Sequence, residues 1–171
     1  PQLFCLDNTG EKLNGDPVAV TAQALWRGEI AAIKGLGGIH LACRCDDEAV
    51  VSRLRSRKRR DEKPFALMCK DMEAVQQFCK VSEEEEAALT SHRRPIVLLD
   101  KKEKGSFSYL SDNNSIGIML PYTPLHYLLF EKAPAALVMT SGNRSDTPIQ
   151  IKNEEVLTQL CGIADGFLLH D

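Results

Sequence analysis

The sequence predicts a single α/β or α+β domain over residues 1–171, with a twisted, mixed central sheet flanked by helices. Apolar segments of strand length alternate along the chain with segments that begin at helix-capping residues. The strand-like segments are continuously apolar, which is typical of strands that are covered on both faces of a sheet. A chain of 171 residues is also long enough to bury one hydrophobic core.

The N-terminal half predicts four strands and two helices. The strands are the apolar runs at 3–7, 29–34, 39–45 and 64–69. Asp16 and Pro17 supply an N-cap and a first helical residue for a helix that ends at Gly28. A second helix, 46–59, begins with acidic residues and ends with basic ones, the arrangement that the helix dipole favours.

In the C-terminal half, each predicted helix follows a residue that can cap it. The N-cap residues are Asp71, Ser82, Thr123 and Asn153, and the helices that follow are 72–80, 83–90, 124–132 and 154–161. The predicted strands are 95–101, 115–120, 135–141 and 166–170. The polar segment 101–114 predicts a mobile loop or a hairpin.

Composition and charge narrow the class of protein. Hydrophobic residues make up 43% and charged residues 26% of the chain, as in ordinary globular domains. No uncharged apolar run approaches the roughly 20 residues of a membrane helix, and the N-terminus lacks the pattern of a signal peptide. The net charge of −3 disfavours general nucleic-acid binding. Because the sequence starts without Met, we expect it to be excised from a longer multidomain chain.

The six cysteines show no CxxC spacing. They are Cys5, Cys43, Cys45, Cys69, Cys79 and Cys161. Cys43 and Cys45 look like a metal-binding pair, but residues two apart in a strand share one face, where small thiols also pack well. We therefore predict core thiols, no metal ligands and a reduced, cytoplasmic protein.

Three loops carry candidate binding residues. In the first, Lys34 leaves a predicted strand and enters a glycine-rich turn with Gly35, Gly37 and Gly38. Glycines allow a tight turn and a close approach by a ligand, but the spacing is not that of a phosphate-binding loop, so a plain turn is the alternative. His40 follows, either as a contact for a small polar substrate or as a packing residue.

The second loop follows an unusually basic helix. Seven of the 21 Lys and Arg residues lie between Ser52 and Met68. Lys58 and Arg60 fall where the helix ends, before Pro64 directs the chain into a strand. Cations at such a position can hold a triphosphate, whereas Arg53 and Arg55, further back on the helix, are expected to matter less. The alternative is a solvated helix C-terminus.

The third loop follows a buried strand near the C-terminal end of the chain. It contains Thr140, Ser141, Asn143 and Ser145. Small hydroxyl and amide side chains with exposed backbone N–H groups suit an anion such as phosphate. A hydrogen-bonded turn is the alternative, because the same residues favour turns.

Five segments together resemble one family. They are KGLGGIHLA, RKRRDEKPFALM, SIGIMLPYTPLHYLL, MTSGNRSDTPI and ADGFLLHD. In this order, over nearly the whole chain, they resemble the YrdC-like domain of the HypF family of hydrogenase-maturation carbamoyltransferases. The wider superfamily shares a K-x-R…P-[LF] element, matched here by Lys58, Arg60 and Pro64. It also shares an S-x-N-x-S-G-x-P element, matched by Ser141, Asn143 and Ser145, with Asp146 in place of the usual glycine.

The resemblance implies an ATP-dependent reaction. In this family an acylphosphatase-like domain releases carbamate from carbamoyl phosphate. The YrdC-like domain joins carbamate to the α-phosphate of ATP, with Mg²⁺, and releases pyrophosphate. A transferase domain passes the carbamoyl group to the C-terminal cysteine of a HypE-like acceptor protein, where it becomes the cyanide ligand of a nickel-iron hydrogenase. The longer chain also carries a zinc-finger domain.

The resemblance also assigns residues to these roles. It implies that Lys58 and Arg60 are catalytic and hold the triphosphate. The implied nucleotide-binding residues are Lys34, Lys58, Arg60, Thr140, Ser141, Asn143 and Ser145. The implied substrate pocket contains Gly35, Gly37, Gly38 and His40.

Two other functions stay open at this point. Threonylcarbamoyl-adenylate synthases, which act in tRNA modification, resemble the chain but carry a P-T-x-T-x-Y-G-L segment near their start. Residues 31–38 lack its Thr and Tyr, which favours the HypF family. A double-stranded RNA-binding module is the second alternative. RNA is the less favoured partner because the basic residues are local in an acidic chain, and the aromatic content of 6% counts against single-strand binding.

Overall fold

An eight-stranded mixed sheet lies at the centre of residues 2–142 and 152–171, which the computed structural model describes. The strands are β1 (Leu3–Asp7), β2 (Ala31–Lys34), β3 (Ile39–Arg44), β4 (Leu67–Cys69), β5 (Val97–Asp100), β6 (Ser115–Met119), β7 (Ala136–Ser141) and β8 (Gly166–His170). The helices are α1 (Pro17–Trp26), α2 (Glu48–Lys58), α3 (Met72–Phe78), α4 (Glu83–Thr90), α5 (Pro124–Phe130) and α6 (Asn153–Leu160).

The strand order is β1-β8-β2-β3-β7-β4-β6-β5. The pairs β2–β8 and β4–β6 are parallel, and the other five neighbouring pairs are antiparallel. This order places β3, β7 and β4 side by side near the middle of the sheet. The predicted mixed sheet flanked by helices is therefore confirmed.

Both faces of the sheet are buried. On β3, Leu41 and Cys43 pack into one core cluster while Ala42 packs into another, as expected when successive side chains point to opposite faces. Helices α2, α3, α4 and α6 contribute buried residues to the first cluster, and α1 and α5 contribute to the second. Coverage on both faces explains why the strand sequences are continuously apolar.

Most predicted helix starts are confirmed by capping hydrogen bonds. Asp16, Asp71 and Thr123 each accept a backbone N–H from the first turn that follows. Ser82 and Glu85 form a reciprocal capping box at the start of α4. The prediction for Asn153 is wrong: it is the first residue of α6, its predecessor Lys152 is the N-cap, and its side chain accepts a hydrogen bond from Lys34 instead.

The segment 101–114 is more firmly anchored than its polar sequence predicts. Leu110 is fully buried and Lys101 is 4% exposed, with its Nζ 2.6 Å from the carbonyl of Ser111. Phe107 packs against the ring of Phe78. The backbone N–H of Phe65 donates to the carbonyl of Leu110 (2.9 Å). These contacts hold residues 107–111 against the core beside the start of β4.

In the described part of the chain, no helix combines the length and the apolar character that crossing a membrane requires.

Candidate functional site

Lys58, the last residue of α2, reaches across to the end of β7. Its Nζ donates to Thr140 Oγ1 (2.8 Å) and to the backbone carbonyl of Ser141 (2.7 Å). Arg59 follows in the left-handed region (φ 54°), an uncommon conformation for a residue other than glycine, and redirects the chain away from the helix axis. The structure therefore brings together three residues that the sequence predicts for one site.

The electrostatic environment of Lys58 disfavours its charge. Burial, followed by the nearby cations Arg60 and Lys63, lowers the pKa of Lys58 from its ordinary 10.5 to about 8. Residues 58–63 line an open cavity of about 510 Å³, which also contains Asp61 and Glu62. A cavity bordered by cations that repel one another is suited to a multiply charged anion.

Arg60 keeps donor capacity within this cluster. Its Nη2 donates to the carbonyl of Pro64 (3.0 Å), and its guanidinium carbon lies 5.3 Å from the centre of the Phe65 ring. Its Nε is buried and has no partner among the described residues. Burial lowers the pKa of this guanidinium, which still remains charged. A buried N–H without a partner is costly, and this cost is relieved if the side chain moves so that the Nε gains a partner.

His40 lies on β3 directly opposite Ser141 of β7. Burial and the charge of Lys58 lower its pKa, so the imidazole is favoured in its neutral form. His126, on the first turn of α5, is 2% exposed and accepts the backbone N–H of Tyr122 at Nδ1. Burial and His40 lower the pKa of His126 to about 4. The sequence did not single out His126, because a lone histidine in a helix most often packs without further role.

Lys34 is not part of the Lys58 cluster. Its Nζ donates to Asn153 Oδ1 (2.8 Å) and to the carbonyl of His170 (3.1 Å), which ties the end of β2 to α6 and β8. Lys34 and Gly35 border a separate, largely apolar hollow of about 370 Å³. These contacts give Lys34 a structural role that the sequence did not suggest.

The glycine-rich turn joins β2 to β3. The N–H of Gly35 donates to the carbonyl of Gly38 (2.8 Å), so the turn is a tight hairpin connection. Gly38 has a φ of 156°, which favours glycine. Gly37 has open space around its Cα, and His40 lies just beyond the turn. The turn geometry matches the plain-turn alternative, and the role of these glycines in a substrate pocket stays a prediction.

The third predicted loop is described only at its start. Thr140 and Ser141 close β7, and the N–H of Gly142 donates to the carbonyl of Ile39 (2.7 Å). A Cβ at Gly142 would lie 2.9 Å from that carbonyl oxygen, so only glycine fits this close approach. Asn143 and Ser145 lie outside the described residues, as does Asp146.

The other arginines of α2 are bound to backbone carbonyls. Arg53 donates to the carbonyl of Gly28 (2.6 Å). Arg57 donates to the carbonyl of Ile163 and pairs with Asp165 at 2.9 Å. The helix is therefore not the freely solvated basic face that was the alternative to a binding role. Nothing in the spacing of the basic run identifies these partners, which lie far away in sequence.

Among the residues that the structure describes, no three His, Cys, Asp or Glu side chains lie together as metal ligands would. Burial raises the pKa of both Cys43 and Cys45 to about 12, which opposes the thiolate that a metal requires. We expect the purified chain to contain no stoichiometric zinc. Elemental analysis with about one zinc per chain would contradict this.

Comparisons with known proteins identify the family of this chain. The family model Sua5/YciO/YrdC, described as telomere recombination, matches residues 23–171. Carbamoyltransferase HypF2 of Cupriavidus necator is 46% identical over 173 aligned residues, which cover 91% of this chain and 21% of the relative. A crystal structure of full-length HypF in the phosphate- and nucleotide-bound form is 49% identical, with a TM-score of 0.90 over 98% of this chain and 22% of that one.

More distant structures share the fold alone. P. abyssi Sua5 complexed with L-threonine has a TM-score of 0.73 at 18% identity and is covered over 46% of its length. The chain spans about a fifth of the length of the HypF relatives it matches. The sequence-based resemblance is confirmed: the chain belongs to the Sua5/YciO/YrdC family and, within it, resembles the YrdC-like domain of the HypF carbamoyltransferases.

Proposed function

We propose that this chain binds ATP and joins carbamate to its α-phosphate, as one step of nickel-iron hydrogenase maturation in the cytoplasm. A carbamate oxygen forms a bond to the α-phosphorus, the bond from that phosphorus to the β-phosphate oxygen breaks, and pyrophosphate leaves. The products are carbamoyl adenylate and pyrophosphate. The observation that carries the proposal is the cluster of Lys58 and Arg60 beside Thr140 and Ser141, with a lowered pKa at Lys58 and a buried donor without a partner at Arg60.

The residues of the cluster can perform the binding that this reaction needs. Displacement at a phosphate depends mainly on positioning and on neutralising negative charge, and it needs no protein nucleophile. Lys58 acts as a mobile point charge, while Arg60 offers a planar fork. The hydroxyl of Thr140 is available to a phosphate oxygen once Lys58 moves toward the ligand. The neutral imidazole of His40, one strand away, can donate to or accept from carbamate.

The residues present also fit Mg²⁺ delivered with ATP. Mg²⁺ usually keeps several waters and binds through substrate phosphates and one or two carboxylates, and not in an all-protein cage. Asp61 and Glu62 border the same cavity as Lys58 and Arg60. Bound there, the ion would neutralise charge on the departing pyrophosphate.

Two relatives support the choice of ligand and of pathway. The full-length HypF structure at 49% identity is in a phosphate- and nucleotide-bound form, and the C. necator relative is a carbamoyltransferase. We extend these properties to this chain. The proposed partners are carbamoyl phosphate or carbamate, neighbouring acylphosphatase-like, zinc-finger and transferase domains, and a HypE-like acceptor protein with a C-terminal cysteine.

Pyrophosphate exchange tests the reaction directly. Labelled pyrophosphate is incubated with ATP, Mg²⁺ and either the chain alone or the full-length protein, with and without carbamoyl phosphate or bicarbonate. We expect label to enter ATP only when the carbamate source is present. Exchange that requires threonine together with bicarbonate would instead identify a threonylcarbamoyl-adenylate synthase. No saturable ATP binding to the full-length protein at millimolar concentration would overturn the proposal.

The lowered pKa of Lys58 predicts proton uptake on ATP binding. With a pKa of about 8, roughly half of the Lys58 side chains are neutral at pH 8, and a bound triphosphate favours the charged form. We expect ATP binding to take up a fraction of a proton near pH 8, with little uptake near pH ~6.5, and affinity to fall as the pH rises above 8. Calorimetry in buffers of different ionisation enthalpy measures this uptake. The variant Lys58→Arg stays charged and should abolish it.

The lowered pKa of Lys58 also makes the stability of the folded protein depend on pH. The folded pKa of about 8 lies below the ordinary value of 10.5, so between these two pH values the unfolded chain binds more protons. The contribution of Lys58 to the free energy of unfolding therefore rises with pH across that window. Comparison of the wild type with Lys58→Arg by denaturation at several pH values isolates this contribution.

A further inference from the structure

The guanidinium of Arg55 makes more contacts than any sequence pattern suggests. Its Nε and Nη2 donate to the carbonyl of Tyr109 (3.1 and 2.9 Å), and Nη2 also donates to the carbonyl of Leu110 (3.0 Å). Its Nη1 donates to the carbonyls of Arg60 (2.9 Å) and Lys63 (2.6 Å). One side chain thus joins the loop 59–64 to the segment 107–111.

All five N–H groups of Arg55 are used in these bonds, and a guanidinium has no others. Arg55 therefore has no donor left for a ligand. Arg60 differs, because its Nε has no partner among the described residues. The two arginines contact the same ring, with guanidinium carbons 4.4 Å (Arg55) and 5.3 Å (Arg60) from the centre of Phe65. The geometry therefore assigns Arg55 to holding the loop and leaves Arg60 with donor capacity for a ligand.

The segment on the far side of Arg55 is anchored independently. Tyr109 Oη donates to the carbonyl of Cys45 (2.8 Å), which lies just beyond β3. Lys101 Nζ donates to the carbonyl of Ser111, and the N–H of Phe65 donates to the carbonyl of Leu110. Residues 107–111 are therefore a fixed support against which Arg55 can hold the loop.

The backbone conformations of two residues also indicate that this loop and its support are held in place by other contacts. Arg59 begins the loop and Phe107 begins the supporting segment, and both have left-handed φ values, 54° and 49°. Such conformations cost free energy in residues other than glycine and persist only where surrounding contacts impose them. The bonds of Arg55 to the carbonyls of both segments connect the loop to its support, beside the backbone bond from Phe65 to Leu110.

We propose that Arg55 is a positioning residue that holds Arg60 and Lys63 close to Lys58 by fixing the loop 59–64 on residues 107–111. Cations held this close repel one another, so the loop would relax outward without the support. The consequence for ATP affinity rests on the proposed function, whereas the geometry of the loop does not. Arg55→Met removes all five bonds, and Arg55→Lys keeps the charge but can make at most three.

The pKa of Lys58 reports on this geometry without any ligand. Arg60 and Lys63 lower that pKa, and the other charged or titratable groups close by, within residues 2–142 and 152–171, are His40 from β3 and Arg59, Asp61 and Glu62 of the loop. If the loop moves outward, water enters and the two cations recede, so the pKa of Lys58 rises toward its ordinary value. A residue that only stabilised the fold would lower the melting temperature without changing this pKa in the folded protein.

The experiment is a pH titration of ¹³C-labelled lysine side chains, followed by NMR. It compares the wild type with Arg55→Met, Arg55→Lys and Arg53→Met. The Lys58 signal is assigned by its absence from the spectrum of Lys58→Arg. We expect the pKa of Lys58 to rise by about one unit in Arg55→Met and by less in Arg55→Lys. Arg53→Met, which loses a bond from the middle of the same helix to Gly28, should leave it unchanged. In parallel, ATP affinity of the full-length protein should fall about tenfold in Arg55→Met.

An unchanged Lys58 pKa in folded Arg55→Met would overturn the proposal. If Arg55→Met does not fold, Arg55→Lys decides on the same criterion. Lys101→Met offers a further check, because it loosens the support without touching the cations. A raised Lys58 pKa in Arg55→Met, together with no ATP binding by the wild-type full-length protein, would uphold the positioning role and reject the proposed function.

Discussion

Replacing Lys58 or Arg60 with alanine is expected to weaken ATP binding by about 1.5–3 kcal/mol for each residue, the range for a hydrogen bond to a charged group. This corresponds to roughly a 10- to 150-fold loss of affinity. The reason is the geometry of the cluster: Lys58 donates to Thr140 and Ser141 at the edge of the cavity, and the Nε of Arg60 has no partner among the described residues. Calorimetric titration at one fixed salt concentration measures the loss.

The chain supplies matched controls for this measurement. Arg27 is an exposed arginine that pairs with Glu29 away from the cluster, and Arg53 shares α2 with Lys58 but bonds to Gly28. Alanine at either position should change ATP affinity by less than about twofold. Arg60→Lys should recover only part of the affinity, since an ammonium lacks the planar fork. Equal, small losses at all four positions would show that the basic run does not bind the triphosphate.

Phe65→Ala is expected to lower the free energy of unfolding by about 3–5 kcal/mol. The ring is 1% exposed, belongs to the larger core cluster and lies against the guanidinium groups of Arg55 and Arg60. Its removal leaves a cavity and takes away two cation–ring contacts, each worth about 0.5–2 kcal/mol. A domain of this size is stable by about 5–15 kcal/mol, so this single change removes a substantial share.

Phe65→Leu separates the two contributions. Leucine keeps most of the buried volume but has no aromatic face, so we expect a smaller loss of stability than for alanine. Urea denaturation of the wild type and both variants gives the comparison. If Phe65→Ala lowers the free energy of unfolding by less than about 1 kcal/mol, the surrounding core collapses into the space left by the ring, and the prediction is wrong.

The sequence predicted the fold because its local signals were strong. The caps at Asp16, Asp71, Ser82 and Thr123 are recognisable from residue type alone, and the structure confirms each. The segment 101–114 was misjudged because its many polar residues conceal two apolar ones, Phe107 and Leu110, that pack inward. Counting polar residues says little about a segment in which one or two side chains decide the packing.

The part of the candidate site in which side chains from two predicted loops contact each other could be predicted from the sequence. Lys58 and Thr140 meet as the motif resemblance suggested. Arg55 was not recognised, because its partners are backbone carbonyls up to 55 positions away, and every residue type has a carbonyl. The bond of Lys34 to Asn153 was not anticipated either, since Asn153 looked like a helix cap, and a role of Lys34 in nucleotide binding stays a prediction. Interactions with backbone atoms leave no signature in the sequence.

The pairing of β1 with β8 at one edge of the sheet bears on whether this fold can be inserted into a longer polypeptide. Leu3 is paired with His170, so the chain enters and leaves the fold at neighbouring positions. Neighbouring entry and exit points allow a folded unit to be inserted between two others without either connection crossing the sheet, and such units tolerate insertion well. The unit can then fold around its own sheet whatever polypeptide is attached on either side.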